Sequence, residues 1–115
     1  MVIRLAEQYL IRAEARAQQN KLGEAKTDLD VLRNRAGLPG TTASTQSQIL
    51  NAVLHERQVE LFSEMGHRWI DLKRTGQIDA ILSVEKTGWN TNASLYPIQL
   101  SQLEANLNLK QNPGY

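Results

Sequence analysis

The sequence contains no cysteine. Disulfide frameworks, thiolate zinc sites and thiol nucleophiles are therefore excluded, while no compartment is selected. Charge of one sign is also missing: 13 Lys+Arg face 12 Asp+Glu over 115 residues, a formal net charge of +1. Cut at residue 60, the two parts carry 8 basic against 7 acidic residues and 5 against 5. Neither end is a basic arm for nucleic acid or an acidic tail, and pairs such as Lys73-Arg74 read as solvated. No apolar run approaches the roughly 20 residues of a membrane-spanning helix. The opening Met1-Val2-Ile3-Arg4-Leu5-Ala6-Glu7 has no basic stretch ahead of an apolar core, so it reads as the start of a helix and not as a signal peptide. Aromatic residues are few, with one Phe, two Trp and three Tyr.

What is present is helical periodicity. The length fits one domain. Residues 3–18 read as a helix, with Leu5, Tyr9, Ala13 and Ala17 on one row and Arg12, Glu14 and Arg16 mostly off it. Asn20-Lys21-Leu22-Gly23 forms a short turn, and residues 22–35 form a second helix through Leu22, Ala25, Leu29 and Leu32. So short a connection predicts an antiparallel hairpin. Its period of about 34 residues is tetratricopeptide-like.

Gly37 is placed to end the second helix and Pro39 cannot continue it. A third helix starts near Thr45 or Ser47 and runs to about Met65, with Ile49, Val53, Leu50, Leu54 and Leu61 in its apolar rows and Phe62 nearby. Residues 67–75 read as a short helix turning Trp69, Ile70 and Leu72 inward, and Ile78, Ile81 and Leu82 suggest another. Residues 86–94 read as loop. Pro97 makes the preceding residue extended, Ser101 through Glu104 matches a capping box for a last short helix, and residues 106–115 are irregular. The expected fold is mostly α. A tetratricopeptide-like hairpin (1–36) precedes further packed helices (45–83) and a loop-rich tail (84–115).

The densest polar segment is His55-Glu56-Arg57-Gln58-Val59-Glu60, followed by Glu64, His67, Arg68 and Asp71. His55-Glu56 opens like the zinc motif H-E-x-x-H, but Val59 stands where the second histidine must be. Glu60 lies about 140° around the helix from His55. No metal site is expected. Glu56, Glu60 and Glu64 instead share one stripe and would repel one another unless cations answered them. Arg57, Arg68 and Lys73 are the nearest cations in sequence. The expectation is a structural ion-pair network of Glu56, Arg57, Glu60, Glu64, Arg68 and Asp71, fixing the third helix against residues 67–75.

No serine has a nucleophile-elbow context, and no glycine-rich phosphate loop occurs. Asn92-Ala93-Ser94 matches a glycosylation sequon. Trp89, Asn90 and Asn92 form the one loop cluster of sugar-binding character. An indole face stacks on pyranose C–H groups, and amides match hydroxyls as donor and acceptor. The alternative is a Trp89 folded over the edge of the core, the commoner place for a tryptophan, and Trp69 reads as core.

Several segments, in order, resemble one known family. The run from Arg4 to Ala15 is similar to the recurrent helix of the RagB/SusD family of nutrient-binding outer-membrane lipoproteins. Leu32-Arg33-Asn34-Arg35-Ala36-Gly37-Leu38 is similar to its "LRNRAGL". The runs from His55 to Glu64 and from Gly66 to Gly76 resemble its "ERxxEL…EGHRWFDLKRTG". Tyr96-Pro97-Ile98 and Gln111-Asn112-Pro113-Gly114-Tyr115 resemble its closing motifs. Gln99 and Leu107 stand where the family carries prolines.

The resemblance implies a surface-exposed lipoprotein that caps a SusC-like TonB-dependent transporter in the outer membrane. It would capture glycans or other nutrients non-covalently, without enzymatic activity or a cofactor. Members are several times longer, with a lipobox signal. The chain is therefore expected to be the C-terminal portion, starting inside a helical array, with its ligand site built largely from segments outside it. No family ligand residue is carried over, and nucleic acid is not an expected partner. Two rivals of other classes are a free-standing tetratricopeptide-like protein-interaction module and a small metallohydrolase using His55, Glu56 and His67.

Overall fold

The computed structural model describes residues 4–115; Met1, Val2 and Ile3, with the predicted start of the first helix at residue 3, lie outside the described residues. Six α-helices follow in order: α1 Leu5–Gln18, α2 Leu22–Arg35, α3 Gln46–Glu60, α4 His67–Arg74, α5 Ile78–Glu85 and α6 Leu100–Ala105. A 3-10 turn, Thr91–Ser94, precedes α6, and no strand occurs among the described residues. The chain divides into two compact units, Met1–Arg68 and Trp69–Tyr115.

In the first unit, side-chain pairing fixes the helix directions. Arg16 meets Glu24 while Arg12 meets Asp28, so one helix advances as the other retreats and α1 and α2 are antiparallel. Gln46 at the start of α3 donates to the Ala17 carbonyl at the end of α1, whereas Glu60 at the end of α3 meets Arg4 ahead of α1. The third helix therefore runs antiparallel to α1 and parallel to α2. Residues 36–45 must travel back along α2, about 21 Å at 1.5 Å per residue, which ten extended residues span with ease. The return is pinned stepwise. Arg33 donates to the Pro39 carbonyl at 2.9 Å and the Thr41 amide donates to Asp30 at 2.6 Å, while Ala43 packs on the core. The hairpin is thus followed by a return loop and not directly by another antiparallel turn.

The core of this unit joins Ala6, Leu10, Ala13 and Ala17 of α1, Ala25, Leu29 and Leu32 of α2, and Ile49 and Val53 of α3. Alanines at these positions let the backbones approach closely. The buried row of α1 is shifted from the predicted one: Leu5 is 74% exposed and Ala6 takes its place inside. Phe62 is also exposed.

Three helices end in the same way. Asn20, Gly37 and Gly76 adopt φ of 61°, 73° and 69°. In each case the next amide reaches back five residues, from Lys21 to Arg16, Leu38 to Arg33 and Gln77 to Leu72. This paired closure is the Schellman motif, which favours residues tolerant of positive φ. The break after α1 is therefore made by Asn20, while Gly23 lies inside α2. Helix α3 begins as predicted at Thr45, which forms a reciprocal capping box with Gln48. It stops at Glu60, five residues short of the predicted end, and Ser63, Met65 and Gly66 then take positive φ.

In the second unit, Leu72, Ile78 and Leu82 form a small core against which Trp69, Ile81 and Trp89 pack. Ile70, predicted to face inward, is 53% exposed. Helix α6 starts two residues earlier than its sequence motif suggests. Gln99 is its N-cap and makes no side-chain capping bond, so Ser101 is an internal residue of that helix.

Candidate functional site

The first unit carries a charged seam. Glu56 and Glu60 sit one turn apart on α3, and Glu64 follows in the turn beyond it. Arg33 from α2 pairs with Glu56. Arg35 reaches Glu60 Oε1 at 2.6 Å, and Arg4 reaches the same oxygen at 2.5 Å. Arg4 also donates to the Glu60 main-chain carbonyl at 3.0 Å and pairs with Glu64. The carboxylate stripe seen in the sequence is thus answered by arginines of α2 and of the residue preceding α1. Sequence proximity had pointed to Arg57, Arg68 and Lys73. Arg57 is buried on α3, Arg68 donates to Gln58 at 2.8 Å, and Lys73 stands 6.0 Å from the Trp69 ring centroid. Asp71, buried, accepts from Arg74 Nε at 2.8 Å.

A second charged cluster escaped the sequence reading. Asp28 is 2% exposed and lies on the buried row of α2 between Ala25 and Leu29. Arg12 forks onto both its oxygens, at 3.0 and 2.7 Å, and Arg16 donates to it at 2.6 Å. Burying a carboxylate is costly unless cations and hydrogen bonds answer it, and here two guanidinium groups do so. The hydrogen bond to Asp28 is the main cause that raises the Arg12 pKa above its ordinary value. An acidic residue on an apolar helix row, opposite two arginines one turn apart, was the signal available.

The histidines are not gathered into a metal centre. His55 is exposed, and Glu56 is engaged by Arg33. His67 Nε2 lies 3.8 Å from Glu7 Oε1. Among the described residues no group of three or more His, Asp or Glu is placed to hold a metal ion. A hollow of about 380 Å³ near the end of α3 is lined by residues including Leu61, Phe62, Glu64, His67 and Arg68.

The second unit carries an aromatic corner. Trp69 on α4 meets Trp89 edge-on, with centroids 6.2 Å apart and planes at 71°. Tyr96 lies 5.8 Å from Trp69 at 45°. Trp89 is half-buried and its indole N–H donates to Asp79 at 2.7 Å. Asn90 is exposed and its side chain accepts from the Asn92 amide at 3.0 Å, capping the 3-10 turn. Asn92 is half-buried against Gly114, where a Cβ would come within 2.8 Å of it. Among Trp89, Asn90 and Asn92, the sugar-contact candidates of the sequence, each therefore has a local structural partner. Tyr96, which sequence reasoning did not select, is the most exposed ring of the cluster at 69%.

Comparison with known proteins assigns the chain. The sequence model of the SusD family matches residues 1–115. The starch-binding protein SusD of Bacteroides thetaiotaomicron is 35% identical over 122 residues, covering 99% of this chain and 21% of that protein. The SusD-like protein P38 of Formosa agariphila is 28% identical, covering 100% of this chain and 24% of its own length. A crystal structure of a SusD-like protein from Bacteroides fragilis superposes with a TM-score of 0.80 at 26% identity, over 99% of this chain and 25% of that one. The chain thus spans between a fifth and a quarter of the length of these relatives. With a family match along its whole length and a relative's fold reproduced throughout, the chain belongs to the SusD family.

Proposed function

We propose that this chain is the C-terminal part of a non-catalytic, surface-exposed glycan-binding lipoprotein of the outer membrane, working with a SusC-like TonB-dependent transporter. The observation that carries the reading is the family match over all 115 residues together with the similarity to a starch-binding relative. Within that protein the three-helix unit acts as support. Its two arginine–carboxylate clusters set the relation of α1, α2 and α3. Leu5, Ile11 and Val31 are exposed apolar side chains on the hairpin, in keeping with a surface that further helices of a longer protein cover. Trp89, Asn90 and Asn92 make a minor sugar contact in this reading, with the ligand site built largely from segments outside this chain.

The test has two arms. The parent protein, run through gels containing starch and other polysaccharides, is retarded by at least one of them, and it co-purifies with a TonB-dependent transporter. The 115-residue chain alone gives no micromolar binding to oligosaccharides by isothermal titration. A parent that ignores every polysaccharide, or a chain that binds a sugar tightly by itself, would overturn the reading.

A further inference from the structure

We infer that Tyr96, backed by Trp69, forms a weak stacking contact for a pyranose ring of a glycan. The inference rests on the glycan-binding reading above and adds a position to it.

The first support is an exposed aromatic on an ordered backbone. Tyr96 is 69% exposed, yet the extended segment that carries it is held on both sides by the end of the chain. Tyr115 Oη donates to the Leu95 carbonyl at 2.8 Å and Asn112 Nδ2 donates to the Tyr96 carbonyl at 2.6 Å. Gln111 makes a two-way bond with Ile98, accepting from its amide at 2.8 Å and donating to its carbonyl at 2.9 Å. Gly114 lets this clamp lie directly on Asn92, because any Cβ there would collide with that side chain. Ordering a loop is a main cost of binding, and a contact on backbone already ordered avoids it.

The second support is the row behind the ring. Trp69 contacts Tyr96 on one side and the edge of Trp89 on another, and Trp89 is itself anchored through its N–H to Asp79. Three of the six aromatic residues of the chain thus form one cluster through Trp69, with Tyr96 its most exposed member. The electron-rich face of such a ring attracts the polarised C–H groups of a pyranose. Lys73 Nζ, 6.0 Å from the Trp69 ring centroid, supplies an ammonium suited to hydroxyl groups.

The experiment follows the two indole N–H resonances of the isotope-labelled 115-residue chain during titration with maltoheptaose and, separately, with cellohexaose. The expected result is a saturable, millimolar shift of the Trp69 resonance with at least one sugar. Replacing Tyr96→Ala weakens it by roughly three- to tenfold, as loss of one stacking contact should, whereas Tyr96→Phe retains it. Tyr96→Leu keeps bulk without the aromatic face and is expected to match the alanine variant, so a folding defect in either one does not decide the matter. An unchanged midpoint in Tyr96→Ala and Tyr96→Leu, or no shift with either sugar, overturns the inference. The parent protein separates this failure from that of the broader reading. If the parent and its Tyr96→Ala variant are retarded equally on polysaccharide gels, the subsite is wrong and glycan binding stands. If neither is retarded, both fail.

Discussion

Arg4 and Glu60 lie 56 residues apart in the chain, and the guanidinium of the first meets both the carboxylate and the main-chain carbonyl of the second. One side chain thereby ties the start of α1 to the last turn of α3. Glu60 also receives Arg35 from α2, so a single carboxylate of α3 is shared by α2 and by the residue that caps α1.

Neutralising that carboxylate should be felt. Glu60→Gln is expected to lower stability by about 1–2 kcal/mol, more than an exposed surface pair, because the Glu60 side chain is largely shielded while its arginines are partly solvated. Urea unfolding should show a lower midpoint with an unchanged slope. An unaltered midpoint would show that the seam adds nothing.

Asp28→Asn is expected to cost about 1–3 kcal/mol, since it leaves a buried amide facing two guanidinium groups. Replacing Arg12 or Arg16 singly should cost less than replacing Asp28, because the remaining arginine still answers the carboxylate. Thermal unfolding of the three variants gives the order, and equal losses for all three would contradict it.

Thr45→Ala removes the hydroxyl that accepts from the Gln48 amide and breaks the reciprocal cap. The expected loss is about 1 kcal/mol. Amide hydrogen exchange should quicken most in the first turn of α3, and uniform acceleration along the helix would point to another cause.

Two glycines predict opposite signs for the same substitution. Gly23 lies inside α2 with open space around its Cα, so Gly23→Ala should stabilise by about 0.5–1 kcal/mol. Gly37 also has open space but holds φ at 73°, so Gly37→Ala should destabilise by about 1–2 kcal/mol. Comparison of the two denaturation midpoints checks both, and shifts in the same direction would refute the assignment of conformational roles.

Much of the helical layout is legible locally. The bounds of α2, the Thr45 cap and the Gly37 stop all coincide with sequence signals that act over one or two turns. The aromatic corner was half visible. Trp89 and its asparagines stood out by composition, whereas Tyr96 is distinguished only by the clamp from residues 111–115. That clamp joins segments about one-sixth of the chain apart, and no periodicity announces it.

Tertiary packing decides what the local pattern leaves open. On α1 the row through Leu5 and the row through Ala6 and Leu10 are both plausible apolar faces, and packing against α2 and α3 selects the second. On α3 the carboxylate stripe was plain, but its arginines come from α2 and from ahead of α1. Helix starts and stops depend on neighbours within a few residues, so the order of amino acids alone specifies most of them. Which charge meets which depends on how helices far apart in the chain align, and a long arginine can satisfy any carboxylate within its reach. Only the assembled hairpin, return loop and third helix choose among those partners.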